Sequence, residues 1–120
     1  MSVALVLGIG LLGGAGAIAR FLLDGALSER VGGRFPWGTL AVNVSGSFLL
    51  GVVAGAVDGD AYRLLATGLL GAYTTFSTWM LESHRLGEDG RLRLGWANVL
   101  VSLALGLACV WLGDQIGGVL

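Results

Sequence analysis

The chain has 120 residues, of which 55% are hydrophobic and only 12% charged, and its mean hydropathy is +0.82. That apolar content excludes an ordinary soluble domain and points to an integral membrane protein; at about 20 apolar residues per span there is room for four. The formal net charge is -1, every one of the seven basic residues is Arg, and no basic patch is available to nucleic acid. Cys109 stands alone, so no intrachain disulfide can form, and it reads as an apolar helix residue.

The expected architecture is one four-helix membrane domain over 1–120, with spans at about 2–23, 37–57, 61–82 and 96–116. The first span carries no charge before Arg20. It lacks a basic leader and a convincing cleavage site, so a permanent span is expected rather than a signal peptide. Gly8-Ile9-Gly10-Leu11-Leu12-Gly13 matches a dinucleotide-binding fingerprint, but no alternation of strands and polar-faced helices follows it. Glycines four apart, Gly10 with Gly14 and Gly51 with Gly55, are better read as places where helices touch. Residues 24–36 read as a loop with one amphipathic turn, after which Trp37 marks the membrane interface.

The second span is apolar except on one face, where Thr39, Asn43 and Ser47 recur every four residues. A mid-span amide needs a partner, because burying it unpaired costs on the order of 1–3 kcal/mol. Asp58-Gly59-Asp60 is a tight turn, which makes the third span antiparallel to the second. In that third span Gly71 is followed by Ala72-Tyr73-Thr74-Thr75-Phe76-Ser77-Thr78, a run of weak helix formers whose hydroxyls compete for the backbone. The helix should therefore break near 71–75. Broken backbone at bilayer depth persists only inside protein or beside a wet cavity, and so marks a candidate ion or substrate site.

Residues 82–95, with Glu82, His84, Arg85, Glu88, Asp89, Arg91 and Arg93, read as a solvated loop in which His84 has no second metal ligand. The fourth span has its own polar face in Asn98 and Ser102, continued by Gly106. No carboxylate falls in the middle of a span, Glu82 and Asp114 standing at span ends, which argues against a proton-coupled transporter. The polar faces carry hydrogen-bond donors without fixed charge, Arg20 stands near a span end, and Phe76 and Trp79 add aromatic edges. Such a set suits a small anion.

Three stretches carry a resemblance: Gly14-Ala15-Gly16-Ala17-Ile18-Ala19-Arg20, residues 38–48 around Asn43, and residues 71–78 around Thr74 and Phe76. Together they resemble the signature stretches of the CrcB/Fluc fluoride channels, over nearly the whole chain. The resemblance implies an all-α membrane protein of four transmembrane helices with a broken third, paired as an antiparallel, dual-topology dimer in the cell membrane. It implies passive export of fluoride through two narrow pores and no enzymatic activity. It also implies a structural sodium ion at the dimer centre, held by the backbone carbonyls of Gly71 and Thr74. By motif, the fluoride path would be lined by Asn43, Phe76, Trp79, Ser77, Thr78, Thr39, Asn98, Ser102 and Arg20. Two positions depart from the usual pattern: Trp79 stands where a second phenylalanine is common, and Asn98 where tyrosine is common.

Two other readings stay open. One is an accessory subunit of a heterodimeric channel, paired with a paralogous chain. The other is a small four-span exporter of drugs or cations, against which stands the lack of a glutamate in the first span. Arg30, Arg34, Arg85, Arg91 and Arg93 flank one side of the membrane and Arg63 the other, which by the positive-inside rule places loops one and three in the cytoplasm. A chain that inserts both ways would be nearer balance, so this bias, with Trp79, supports a heterodimer as the alternative to the expected dual-topology homodimer.

Overall fold

The computed structural model describes residues 1–120 and is entirely helical. Helix α1, Val3–Val31, starts where Ser2 Oγ accepts the amide of Leu5 at 3.1 Å and stops at Gly32, whose φ of 63° few other residues would adopt. Residues 24–31, expected to lie in a loop, are helical. Ala26, Leu27, Glu29 and Arg30 are good helix formers, and Ser28 Oγ donates to Asp24 Oδ1 one turn back at 3.3 Å. Helix α2, Trp37–Ala56, follows Pro36, and a short link leads into the third helical unit.

That unit is bent and broken, as the composition of 71–78 predicts. Its first arm, α3 (residues 59–73), begins as an α-helical turn at Gly59–Tyr62, widens to a π-helix over Arg63–Leu70 and closes on a last turn at Gly71–Tyr73. Its second arm is α4, Ser77–Glu88. A turn at Gly90 leads into α5, Leu92–Gly117. Most of the expected loop 82–95 is thus helical too, because Ser83 and Leu86 are buried, with the backbone of Gly95 close against Ser83.

Packing is tightest between α2 and α5. A Cβ on Gly55 would lie 2.5 Å from the carbonyl oxygen of Asp114, and on Gly51, Gly113 and Gly117 it would run into the carbonyls of Val110, Phe48 and Val52. Glycine is what lets these backbones meet. On α1 the residue in that position is Gly16, against the Leu69 carbonyl of α3. Gly10 and Gly14 have no neighbour within 4 Å of a Cβ, so the spacing that suggested contact there turns outward.

The distribution of side chains is inverted relative to a soluble protein. Only six apolar residues belong to the buried set, while Thr39, Ser83, Asn98 and Ser102 are buried and Leu11, Phe21, Leu107 and Trp111 lie outside. In a bilayer the lipid solvates the apolar exterior, and the polar groups collect within the helix bundle. Helices α1, α2 and α5 are each long and apolar enough to cross a membrane, and the bent unit 59–88 supplies the fourth helix.

Candidate functional site at the break in the third helix

The widened turn sets up the break. At its end the amide of Gly71 reaches back to Ala66, and Thr74 then donates to Leu70 twice, through its amide and its hydroxyl, both at 3.0 Å. Thr74 leaves the helix with ψ of 161°. The amide of Thr75, which in an unbroken α-helix would donate to Gly71, donates to Asn43 Oδ1 at 2.8 Å, and the Asn43 Nδ2 donates back to the Thr75 carbonyl at 2.8 Å. The mid-span amide thus clasps both backbone groups of one residue in the break. Its second Nδ2 hydrogen is not used in this pairing.

The restart of the helix is organised by the same threonine. Thr75 Oγ1 accepts the amide of Thr78 at 3.1 Å, capping α4, and lies 3.4 Å from Ser77 Oγ. Amides that would have closed onto Gly71 and Thr74 are therefore diverted, and those two carbonyls are released from the helical ladder. The Ala72 carbonyl is taken by Arg20 Nε at 3.3 Å, and the Tyr73 hydroxyl sits 2.9 Å from Ser45 Oγ.

Two cavities meet at this point. The larger, about 340 Å³, lies between α2, the break and α5, and is lined by Asn43, Ser47, Thr74, Thr75, Phe76, Trp79 and Ser102 with an aliphatic wall; it holds no charged side chain. The smaller, about 170 Å³, is lined by Arg20, Asp24, Thr39, Thr75 and Thr78 together with Ala17, Phe21 and Val42. Thr75 borders both. The break is the partition between a neutral groove and a chamber that contains an arginine.

The residues singled out from the sequence divide accordingly. Asn43, Phe76, Trp79 and Ser102 border the groove, and Arg20, Thr39 and Thr78 border the chamber. Ser77 borders neither; its hydroxyl lies beside that of Thr75. Asn98 is fully buried behind the groove wall. Phe76 is 70% exposed, and its ring meets that of Trp79 edge to face at 5.7 Å. Ser47, on the same polar face as Asn43, and Thr75, among the hydroxyls of the break, are readable as polar positions but are not part of the expected fluoride path; Ser47 borders the groove and Thr75 both cavities. The spacing of Thr75, three residues before Thr78 at a helix restart, is that of a cap. Glu82, expected at the edge of a solvated loop, lies inside α4 with its Oε1 buried. His84 Nε2 lies 3.3 Å from Glu88 Oε1 on the exposed side of α4.

This is an all-helical, multi-pass membrane protein whose broken helix separates a largely apolar groove with polar side chains at one end from a smaller chamber that holds charged ones. The family model described as CrcB-like protein, Camphor Resistance (CrcB) matches residues 7–114. Among curated proteins, the chain is 50% identical over 117 residues to the Fluoride-specific ion channel FluC 2 of Mycobacterium tuberculosis, covering 97% of this chain and 93% of the relative. It is 46% identical to the Fluoride-specific ion channel FluC 1 of Symbiobacterium thermophilum, over 91% of this chain and 94% of that one. With the Fluoride-specific ion channel FluC of a Geobacter species the identity is 41%, over 90% and 92%. The chain belongs to the CrcB family. It is accordingly a multi-pass plasma-membrane protein of an ion-channel family, not an enzyme.

Proposed function

We propose that this chain is a subunit of a fluoride-selective channel, through which fluoride leaves the cell passively along narrow pores at the interface of an antiparallel dimer. The observation that carries this reading is the uncharged groove at the helix break, where Asn43, Ser47, Thr75, Phe76 and Trp79 surround one space. Donor hydrogens and aromatic edges can take the place of an anion's hydration shell without binding it so tightly that it stays. Arg20, in the chamber across Thr75, would offer an anion a local guanidinium contact, with Asp24 in the same chamber offsetting its longer-range field.

A second subunit is favoured by Phe76. A large aromatic ring, 70% exposed beside broken backbone, is the type of surface that a partner chain would cover. Sodium at the dimer centre is favoured by the released carbonyls of Gly71 and Thr74, since neutral carbonyl oxygens suit a hard cation and two subunits would double the set. When bound, sodium would supply a positive charge that ties the two breaks together. Purified protein in liposomes should release fluoride far faster than chloride under the same gradient. Fluoride release no faster than from protein-free vesicles would refute the channel.

One observation favours a heterodimer with a paralogous chain over a homodimer. Arg34, Arg85 and Arg91 line a single cavity at one end of the bundle, with Arg30 and Arg93 on flanking segments, against Arg63 at the other end. Reporter fusions at the C-terminus decide it: signal from one side of the membrane supports the heterodimer, and equal signal from both sides supports the homodimer.

A further inference from the structure

Asn98 lies outside the groove, and every polar atom of its side chain is engaged. Nδ2 donates to Ser83 Oγ at 2.8 Å and, more weakly, to the Trp79 carbonyl at 3.4 Å, while Oδ1 accepts from Ser102 Oγ at 3.3 Å. Ser83 Oγ in turn donates to the Trp79 carbonyl at 2.8 Å. The hydrogens therefore run one way, from Ser102 to Asn98 to Ser83 to the backbone of Trp79. A fifth bond closes the set, because the indole Nε1 of Trp79 donates to the backbone carbonyl of Asn98 at 3.0 Å.

Two consequences fall on the groove wall. Trp79 has one strong donor, and it is spent on α5, so the ring offers the groove only its carbon-bound hydrogens and its face. Ser102 has one hydroxyl hydrogen, and it points to Asn98, so the oxygen offers the groove lone pairs. Neither residue acts as a hydrogen-bond donor to an anion, although both border the space where one would pass.

The geometry points to Asn98 as the positioning residue for anion selectivity in this chain: its side-chain Oδ1 takes the hydrogen of Ser102 and so holds Ser102 as an acceptor, while the N–H of Trp79 is averted by the backbone carbonyl at this position, leaving donation to α2 and the break. This assignment rests on the channel reading above. Asn98 is absent from the groove lining and 0% exposed, so it acts on the ion only through those two neighbours. The coupling it implies is specific. A mutation at Asn98 should matter to selectivity only while the Ser102 hydroxyl is there to be released.

The test is a double-mutant cycle in liposomes, reading the ratio of fluoride to chloride release for the unmodified protein, Asn98→Ala, Ser102→Ala and the pair. Asn98→Ala should lower the ratio about tenfold, the equivalent of one net hydrogen bond, and in the Ser102→Ala background the same change should alter it less than about twofold. Equal effects in both backgrounds would overturn the proposal, since a merely structural residue costs the same wherever its neighbour stands. Asn98→Thr, which keeps a hydroxyl within the buried set, is run beside Asn98→Ala and should retain more of the ratio. Ser102→Ala gives an independent reading in a protein whose buried amide is intact. It should change fluoride release less than about threefold, and a loss beyond about tenfold would mean that Ser102 donates to the ion after all. Failure of the unmodified protein to release fluoride would strike the channel reading itself, whereas additivity in a conducting protein strikes only the role of Asn98.

Discussion

The pairing of α2 with α5 and the break between α3 and α4 handle the same solvent in opposite ways. At the first, Gly51, Gly55, Gly113 and Gly117 bring two intact helices into backbone contact. At the second, the chain forgoes its own hydrogen bonds and borrows others from Asn43 and Thr75. Lipid offers no hydrophobic reward for helix association, so close packing must hold the bundle. The polar break can then specialise in an ion. The difference teaches that stability and permeation are assigned to different helix pairs, which can be damaged separately.

The largest effect should come from the close-packed pair. Gly113→Leu places a side chain against the Phe48 carbonyl, where backbone cannot yield, and should cost more than about 3 kcal/mol, abolishing both the monodisperse protein on gel filtration and its flux. A well-folded, conducting variant would remove α2–α5 contact as the basis of stability. At the break, Asn43→Asp should instead preserve the fold by circular dichroism and lower fluoride flux at least about 100-fold. It faces the Thr75 carbonyl with a carboxylate oxygen in place of a donor and sets negative charge at the anion's path.

Smaller effects sharpen the same contrast. Exchanging sodium for a bulky organic cation should bring flux down toward the vesicle leak without unwinding α2 and α5. Unaltered flux would count against a cation at the Gly71 and Thr74 carbonyls. Thr75→Val removes the cap on α4 and should lower thermal stability by about 1 kcal/mol in detergent, with flux reduced further than that stability loss explains because Thr75 borders both cavities. The smallest change is Asp60→Ala, which breaks the exposed 3.2 Å pair with Arg63 and should shift stability by at most about 0.5 kcal/mol, less in high salt.

Much of this was legible in the residues. The break could be placed near 71–75 because β-branched and hydroxyl side chains follow Gly71, and the four-residue recurrence of Thr39, Asn43 and Ser47 located the polar face of α2. Hydropathy alone could not set the helix ends. Residues 24–31 and 82–88 are polar enough to look like loops, yet they are good helix formers, and the second stretch also buries Ser83 and Leu86. The site was less legible than the fold. Asn98 lies on the polar face of α5, but whether a polar residue borders a path or braces its wall depends on which neighbour meets it, and no spacing within one helix encodes that. The π-helical widening over Arg63–Leu70 likewise has no signature in composition; within it the Leu69 carbonyl lies against Gly16 of α1.

The clasp between Asn43 and Thr75 also bears on how the chain is made. The two residues are 32 positions apart, and α2 is synthesised before its partner exists. Until the third helical unit arrives, the amide of Asn43 has no matching backbone in the membrane, at a cost on the order of 1–3 kcal/mol if it waits there unpaired. Only a short link separates the end of α2 at Ala56 from the start of α3 at Gly59. Both features favour insertion of the second and third helices together as a hairpin, so the group that shapes the finished break also sets the order in which the protein is assembled.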